Sequence, residues 1–207
     1  MNSHDPSAAP PADEPDLVAL LGSRICHDLV SPVGAIANGL ELLEMTQGPT
    51  EEMALIRGAV DSATARIKFF RMAFGAASAE QSIAPREVIG VLQAMYAQTR
   101  TEVYWTDDQD RRRPELRLAL LALLCVETAM PWGGRVEVGR TGVAWTIHVE
   151  AERLRMDEAL WAELGAGRAP SDLKGAEVQF GLLARECARL GRPVSVTADA
   201  TRLSLVV

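Results

Sequence analysis

Two runs of apolar residues, spaced by threes and fours, constrain this chain more than any other feature. Val18, Leu21, Ile25, Leu29, Val33, Ile36, Leu40 and Leu43 make the first; Met53, Ile56, Val60, Ala63, Ile67, Phe70 and Phe74 make the second. A helix of about 3.6 residues per turn gathers each set on one side, as the narrow seam of a bundle or coiled coil. Between them, Gln47-Gly48-Pro49-Thr50 reads as stop, turn and restart. Residues 16–76 are therefore expected to form an antiparallel helical hairpin. Pro32 lies inside its first helix, where a proline normally bends the axis.

The pattern changes after a small, polar linker, Gly75 to Ser82. Helices are expected over 85–98, 114–130, 156–164 and 177–190, and strands over 101–105, 135–138, 143–149, 194–198 and 201–207. Helices interleaved with mostly hairpin-joined strands make an α+β layer over residues 84–207. The first fifteen residues, rich in Pro, Ala and Asp, read as a disordered arm that contains His4. A net charge of −7 and a pI near 5.1 speak against a nucleic-acid partner. The N-terminus has no basic start and apolar stretch, and the longest apolar run, Leu118 to Val126, is too short to cross a bilayer. The expectation is a soluble, cytoplasmic protein with no membrane partner. Cys26, Cys125 and Cys187 are far apart and unpaired in pattern, as reduced packing thiols are. Nothing in the spacing of His4, His27 and His148 supports a metal site.

His27 lies two positions from both Ile25 and Leu29, which turns it away from the seam to face solvent in mid-helix. Ser23, Ser31, Gly34, Asn38 and Glu41 share that outward side, and most are small enough to admit another protein's surface. An ordinary imidazole, with a pKa of about 6.5, is mostly neutral near pH 7, and its free nitrogen can attack an acyl phosphate. Asp28 is placed to orient the ring or take its proton.

Residues 27–32 read His-Asp-Leu-Val-Ser-Pro. This resembles the phosphoacceptor box of histidine kinases: histidine, an acid, two variable positions, a small polar residue, then proline. The order of hairpin and α+β layer over residues 16–207 also resembles the kinase order of dimerisation domain and ATP-binding domain. That family tolerates the bend at Pro32. Its nucleotide chemistry, however, is missing here. The family's Mg²⁺-binding asparagines would fall near Leu121 and Cys125, before the Gly133-Gly134 turn, and no asparagine occurs after residue 38. The Asp-x-Gly-x-Gly segment is replaced by IHVEAERLR at 147–155, where Glu150 is the nearest acid and no glycine follows. Only Gly181 remains of the glycine-rich lid. A hard cation needs oxygen donors, and bulky side chains keep backbone away from a nucleotide. Residues 84–207 thus read as a kinase-like ATPase fold that has lost ATP.

The stretch RICHDLVSPVGAIANGLELL at 24–43 is similar to the ChpT-type histidine phosphotransferases of alphaproteobacteria. The resemblance implies a phosphotransferase working through phosphohistidine in a two-component phosphorelay. It implies a homodimeric four-helix bundle with two active histidines and no cofactor of its own, Mg²⁺ being held by the partner receiver. It also implies a donor, the receiver domain of a CckA-type hybrid kinase, and CtrA- and CpdR-type response regulators as acceptors in cell-cycle control. His27 and Asp28 are then the catalytic pair. The turn at 47–49 is expected to bring residues 66–71 level with His27, which makes Arg66 and Lys68, with Arg24 one turn before the histidine, candidates to stabilise the phosphoryl group. Ser23, Ser31, Gly34 and Asn38 are the candidate docking residues. Two other readings are an ATP-dependent sensor kinase fragment and a non-catalytic docking scaffold. A lone hairpin would expose a long apolar stripe, which two copies would cover.

Overall fold

The computed structural model describes residues 16–76 and 80–207. The N-terminal arm and part of the linker, on which two of the expectations fall, lie outside the described residues. Helix α1 runs Leu17–Gln47 and α2 runs Glu51–Phe74. Asp16 caps α1 by accepting from the Ala19 N–H at 3.1 Å, and Thr50 caps α2 by accepting from Met53 at 3.2 Å. Such caps contribute about 1 kcal/mol each. Gly48, at φ 78°, ends α1 in a conformation that suits glycine. A bidentate Arg57–Glu44 pair (3.0 and 2.6 Å) ties the helices together near the turn.

The rest of the chain follows as β1 (Ser82–Ile83), α3 (Pro85–Tyr96), β2 (Thr101–Trp105), β3 (Arg111–Arg112), α4 (Arg113–Ala129), β4 (Gly134–Thr141), β5 (Ala144–Glu150), α5 (Glu158–Gly165), α6 (Val178–Leu190), β6 (Ser195–Ala198) and β7 (Arg202–Val206). Five strands form one sheet in the order β2-β4-β5-β7-β6, with β2 parallel to β4 and the other pairs antiparallel. The α+β layer expected from the sequence is present. The two-residue β1–β3 ribbon, Ser82 opposite Arg112, is not legible in the sequence, because two residues carry no period.

Alternation along the strands sends Val136, Val138, Trp145, Ile147, Val149, Leu203 and Leu205 to one face, where α4 covers them with α6 packed on α4, while Glu137 and His148 point the other way. Helix α4 is the centre of the molecule, with Leu116 to Val126 buried throughout. Ala65, Phe69, Met72 and Ala73 of α2 join that core, so the lower half of the hairpin is packed into the same apolar interior as the sheet. Gly133, at φ 90°, lies where an added Cβ would strike the Arg100 carbonyl, so this tight entry to β4 requires glycine. No helix among the described residues is long and apolar enough to cross a membrane.

One feature of the hairpin differs from the sequence reading. The α1 side that faces α2 is lined by Ala19, Gly22, Cys26, Val33 and Leu40. At Gly22 an added Cβ would lie 3.1 Å from the Phe74 carbonyl oxygen, so small residues let these helices approach closely. The large residues of the expected seam, Val18, Leu21, Ile25, Leu29, Ile36 and Leu43, are instead 42–60% exposed in the single chain. Helix α1 therefore carries two apolar sides, and spacing of large residues alone picks out the uncovered one.

Candidate functional site

His27 follows Cys26, which is buried against α2, and so stands about 100° around the helix from the hairpin interface. It is nine residues from both Val18 and Ile36, half a turn away from the uncovered apolar stripe. Its side chain is 84% exposed. The Asp28 Oδ1 lies 3.2 Å from His27 Nδ1, and the Arg24 Nε donates to Asp28 Oδ2 at 2.8 Å. The hydrogen bond with the His27 ring, and then that with Arg24, hold the Asp28 carboxyl below its usual range. An ionised carboxylate only accepts, so the proton it meets belongs on Nδ1, and the Nε2 lone pair faces solvent. Pro32 has no N–H to give the Asp28 carbonyl four residues earlier, yet α1 continues through it.

The other expected site residues are distributed more widely. Ser31 and Asn38 are exposed on the His27 side, with Glu41 beyond them. Gly34 lies among them, and an added Cβ there would meet nothing within 4 Å. Ser23 is tied inward: its Oγ accepts from the Ala76 N–H at 2.9 Å, so it braces the end of α2 instead of offering a free hydroxyl. Arg24 is bound to Asp28. Arg66 precedes Ile67, on the side of α2 away from His27, and its charge acts on Glu127 and Tyr96 at the joint with α3 and α4. Lys68 is exposed on the His27 side but lines a cleft between α2 and α3.

The hairpin register explains the difference. Gly22 lies against Phe74, Ser23 meets Ala76, and Glu44 pairs with Arg57, which puts His27 level with roughly residues 69–74, at and beyond the far end of the expected 66–71. The cation of α2 at this level is Arg71, which the sequence reading passed over. Burial raises the Cys26 thiol pKa, while the Arg71 charge, close by, works in the opposite direction. The signal was in the turn: α1 continues to Gln47 and α2 begins only at Glu51, which moves the centre of the turn one residue along the chain and the α2 residue level with His27 by two.

The sites expected to have lost nucleotide chemistry are also placed. Leu121 and Cys125 are fully buried in α4, and burial raises the Cys125 thiol well above its usual pKa. Glu150 is exposed at the end of β5 with Arg202 at 3.5 Å. An added Cβ at Gly181 would sit 2.7 Å from the Leu173 side chain.

Residues 85–202 match the family model of the histidine phosphotransferase C-terminal domain. The protein phosphotransferase ChpT of Brucella abortus (strain 2308) is 37% identical to the chain over 193 residues, covering 89% of this chain and 92% of the relative. The solved structure of a bacterial phosphotransferase superimposes with a TM-score of 0.66 at 34% identity, over 92% of this chain and 95% of that one. Both alignments take in the hairpin as well as the sheet.

Proposed function

Because the chain belongs to the ChpT-type histidine phosphotransferase family, we propose that His27 is the residue that carries its phosphoryl group between receiver aspartates. The observation that carries this reading is the His27–Asp28 pair, exposed in mid-helix on the side opposite the uncovered apolar stripe. The Nε2 lone pair attacks phosphorus of the receiver's acyl phosphate. The N–P bond forms as the P–O bond to the aspartyl carboxylate breaks, and that carboxylate leaves with the electron pair. The ring keeps its Nδ1 proton and becomes cationic, which Asp28 offsets. Arg71, level with the histidine, balances charge on the incoming phosphoryl group. Transfer onward is the same step reversed onto a second receiver.

The working unit in this reading is a homodimer. The stripe from Val18 to Leu43, with exposed Leu55 and Ile56 on α2, is closed by a second copy into a four-helix bundle with His27 outside on each subunit. The donor is a CckA-type receiver and the acceptors are CtrA- and CpdR-type regulators, with Mg²⁺ bound by the receiver. ATP has no part: at Leu121 and Cys125 the chain offers apolar packing where a nucleotide's Mg²⁺ needs oxygen. The test is to mix the purified full chain with a phosphorylated receiver domain. Acid-labile, base-stable label is expected on His27 within the assay. Label that persists in His27→Ala overturns the assignment.

A further inference from the structure

Helices α2 and α3 diverge around a cleft of about 710 Å³. Its walls include Gly58 and Ala65 of α2 and Gly90 and Ala94 of α3, and an added Cβ at either glycine would meet nothing within 4 Å. Small residues on both walls leave room for an inserted element to lie close to the backbone. The half of the cleft nearer the histidine carries Lys68 and Arg71 from α2 and Arg86 from the first turn of α3, beside Glu87 and about two turns of α2 from Asp61. None of these three cations forms an ion pair within 4 Å among the described residues, in a chain whose net charge is −7.

The cleft also opens on the side of the hairpin that bears His27. Lys68 follows the buried Ile67, and His27 follows the buried Cys26, so each stands about 100° past the interface in the same rotational sense. For antiparallel neighbours that sense leads to a common side. Ile25 and Arg66, one residue before the same buried positions, share the other side with the apolar stripe. A protein seated over His27 therefore has an unpaired basic groove within its reach, and a second copy covering the stripe does not obstruct it.

We propose that the α2–α3 cleft is a second docking element for the receiver, taking a surface helix whose exposed end carries acidic side chains. The proposal rests on the reading that receivers exchange phosphate with His27. Charge complementarity selects the occupant, and the small-residue walls fit a helix inserted into a groove.

The experiment measures transfer from a phosphorylated receiver domain to the full-length protein, in wild type and in Lys68→Glu/Arg86→Glu, with Lys68→Gln/Arg86→Gln as the milder companion. Both positions are exposed, so an unchanged melting curve is expected to accompany them. The double reversal is expected to raise KM about tenfold or more at low salt, to leave kcat unchanged, and to flatten the salt dependence. The glutamines should fall between. Chemical labelling of His27 by phosphoramidate, which needs no docking, should proceed equally in all three proteins. An unchanged KM overturns the proposal and leaves the His27 reading standing. Failure of wild type to take label from any receiver, with phosphoramidate labelling intact, removes the reading and the proposal together. Inorganic pyrophosphate that binds wild type but not the reversal, with KM unmoved, assigns the cleft to a small anion and overturns the proposal. Loss of the dimer's mass in the reversal would assign it to a second copy and do the same.

Discussion

At His27 the chemistry is set by immediate neighbours in the chain. Asp28 takes Nδ1 and Arg24 takes the second oxygen of Asp28, so a single helical turn presents Nε2 outward without help from the core. His27→Ala should abolish phosphoryl acceptance with no change in circular dichroism, because the side chain is 84% exposed. Asp28→Ala should slow transfer without ending it, since the carboxylate orients the ring and forms no bond to phosphorus. Single-turnover rates distinguish the two variants. The Asp28 carboxyl titrates below its usual range, so its bonds persist through neutral and mildly acidic pH and are lost only as pH falls through that lowered value. Arg24→Ala removes one of the two causes and should shift Asp28 upward in an NMR titration; an unmoved Asp28 would show that Arg24 does not hold it.

Among the elements, α4 and α1 make opposite use of apolar surface. Helix α4 is buried on all sides, and Cys125 is 0% exposed. Placing an asparagine there should not confer nucleotide chemistry. Cys125→Asn buries a carboxamide with no partner, at a cost of about 2–3 kcal/mol. The measurable outcome is a fall in Tm with no autophosphorylation from ATP. Helix α1 is covered on one side only. Ile36 is 53% exposed in the single chain while Ile67 is 8% exposed. In the proposed dimer, a charge at the first should separate subunits and leave each folded, whereas Ile67→Glu puts an ion inside the hairpin and should unfold it. Light scattering and thermal melts on the same samples separate these outcomes, and a monomeric wild type at micromolar concentration would remove the bundle.

For the whole molecule, the joint between hairpin and sheet matters most. Glu127 of α4 and Tyr96 of α3 meet there with Arg66 of α2 nearby. Burial raises the Glu127 pKa above its ordinary value, and the Arg66 charge only partly opposes this. A raised carboxyl pKa means that the native state holds this proton more tightly than the unfolded chain does. Its contribution is most favourable at acid pH and is lost as pH rises through the folded pKa. Glu127→Gln should therefore raise Tm at neutral pH, and the gain should shrink toward pH 4. A gain that is the same at both pH values would mean that Glu127 is charged at little expense.

Local rules fixed the two hairpin helices, their caps at Asp16 and Thr50, the outward direction of His27 and the alternation that builds the sheet, because each depends on residues within a turn or two of one another. The apolar or bulky side chains at 121, 125 and 150–155, from which the absence of nucleotide chemistry is expected, were equally legible, since side-chain identity alone is read there. Tertiary structure decided the rest. Which apolar side of α1 meets α2 depends on how closely Gly22 and Ala19 let the helices approach, and spacing does not encode that distance. That Arg71 comes level with the histidine while Lys68 lines the α2–α3 cleft depends on a one-residue shift in the centre of the turn. Ser23 turns inward because Ala76, far away in the sequence, needs its hydroxyl. The α2–α3 cleft exists only because two helices from different parts of the chain diverge as they pack on one core.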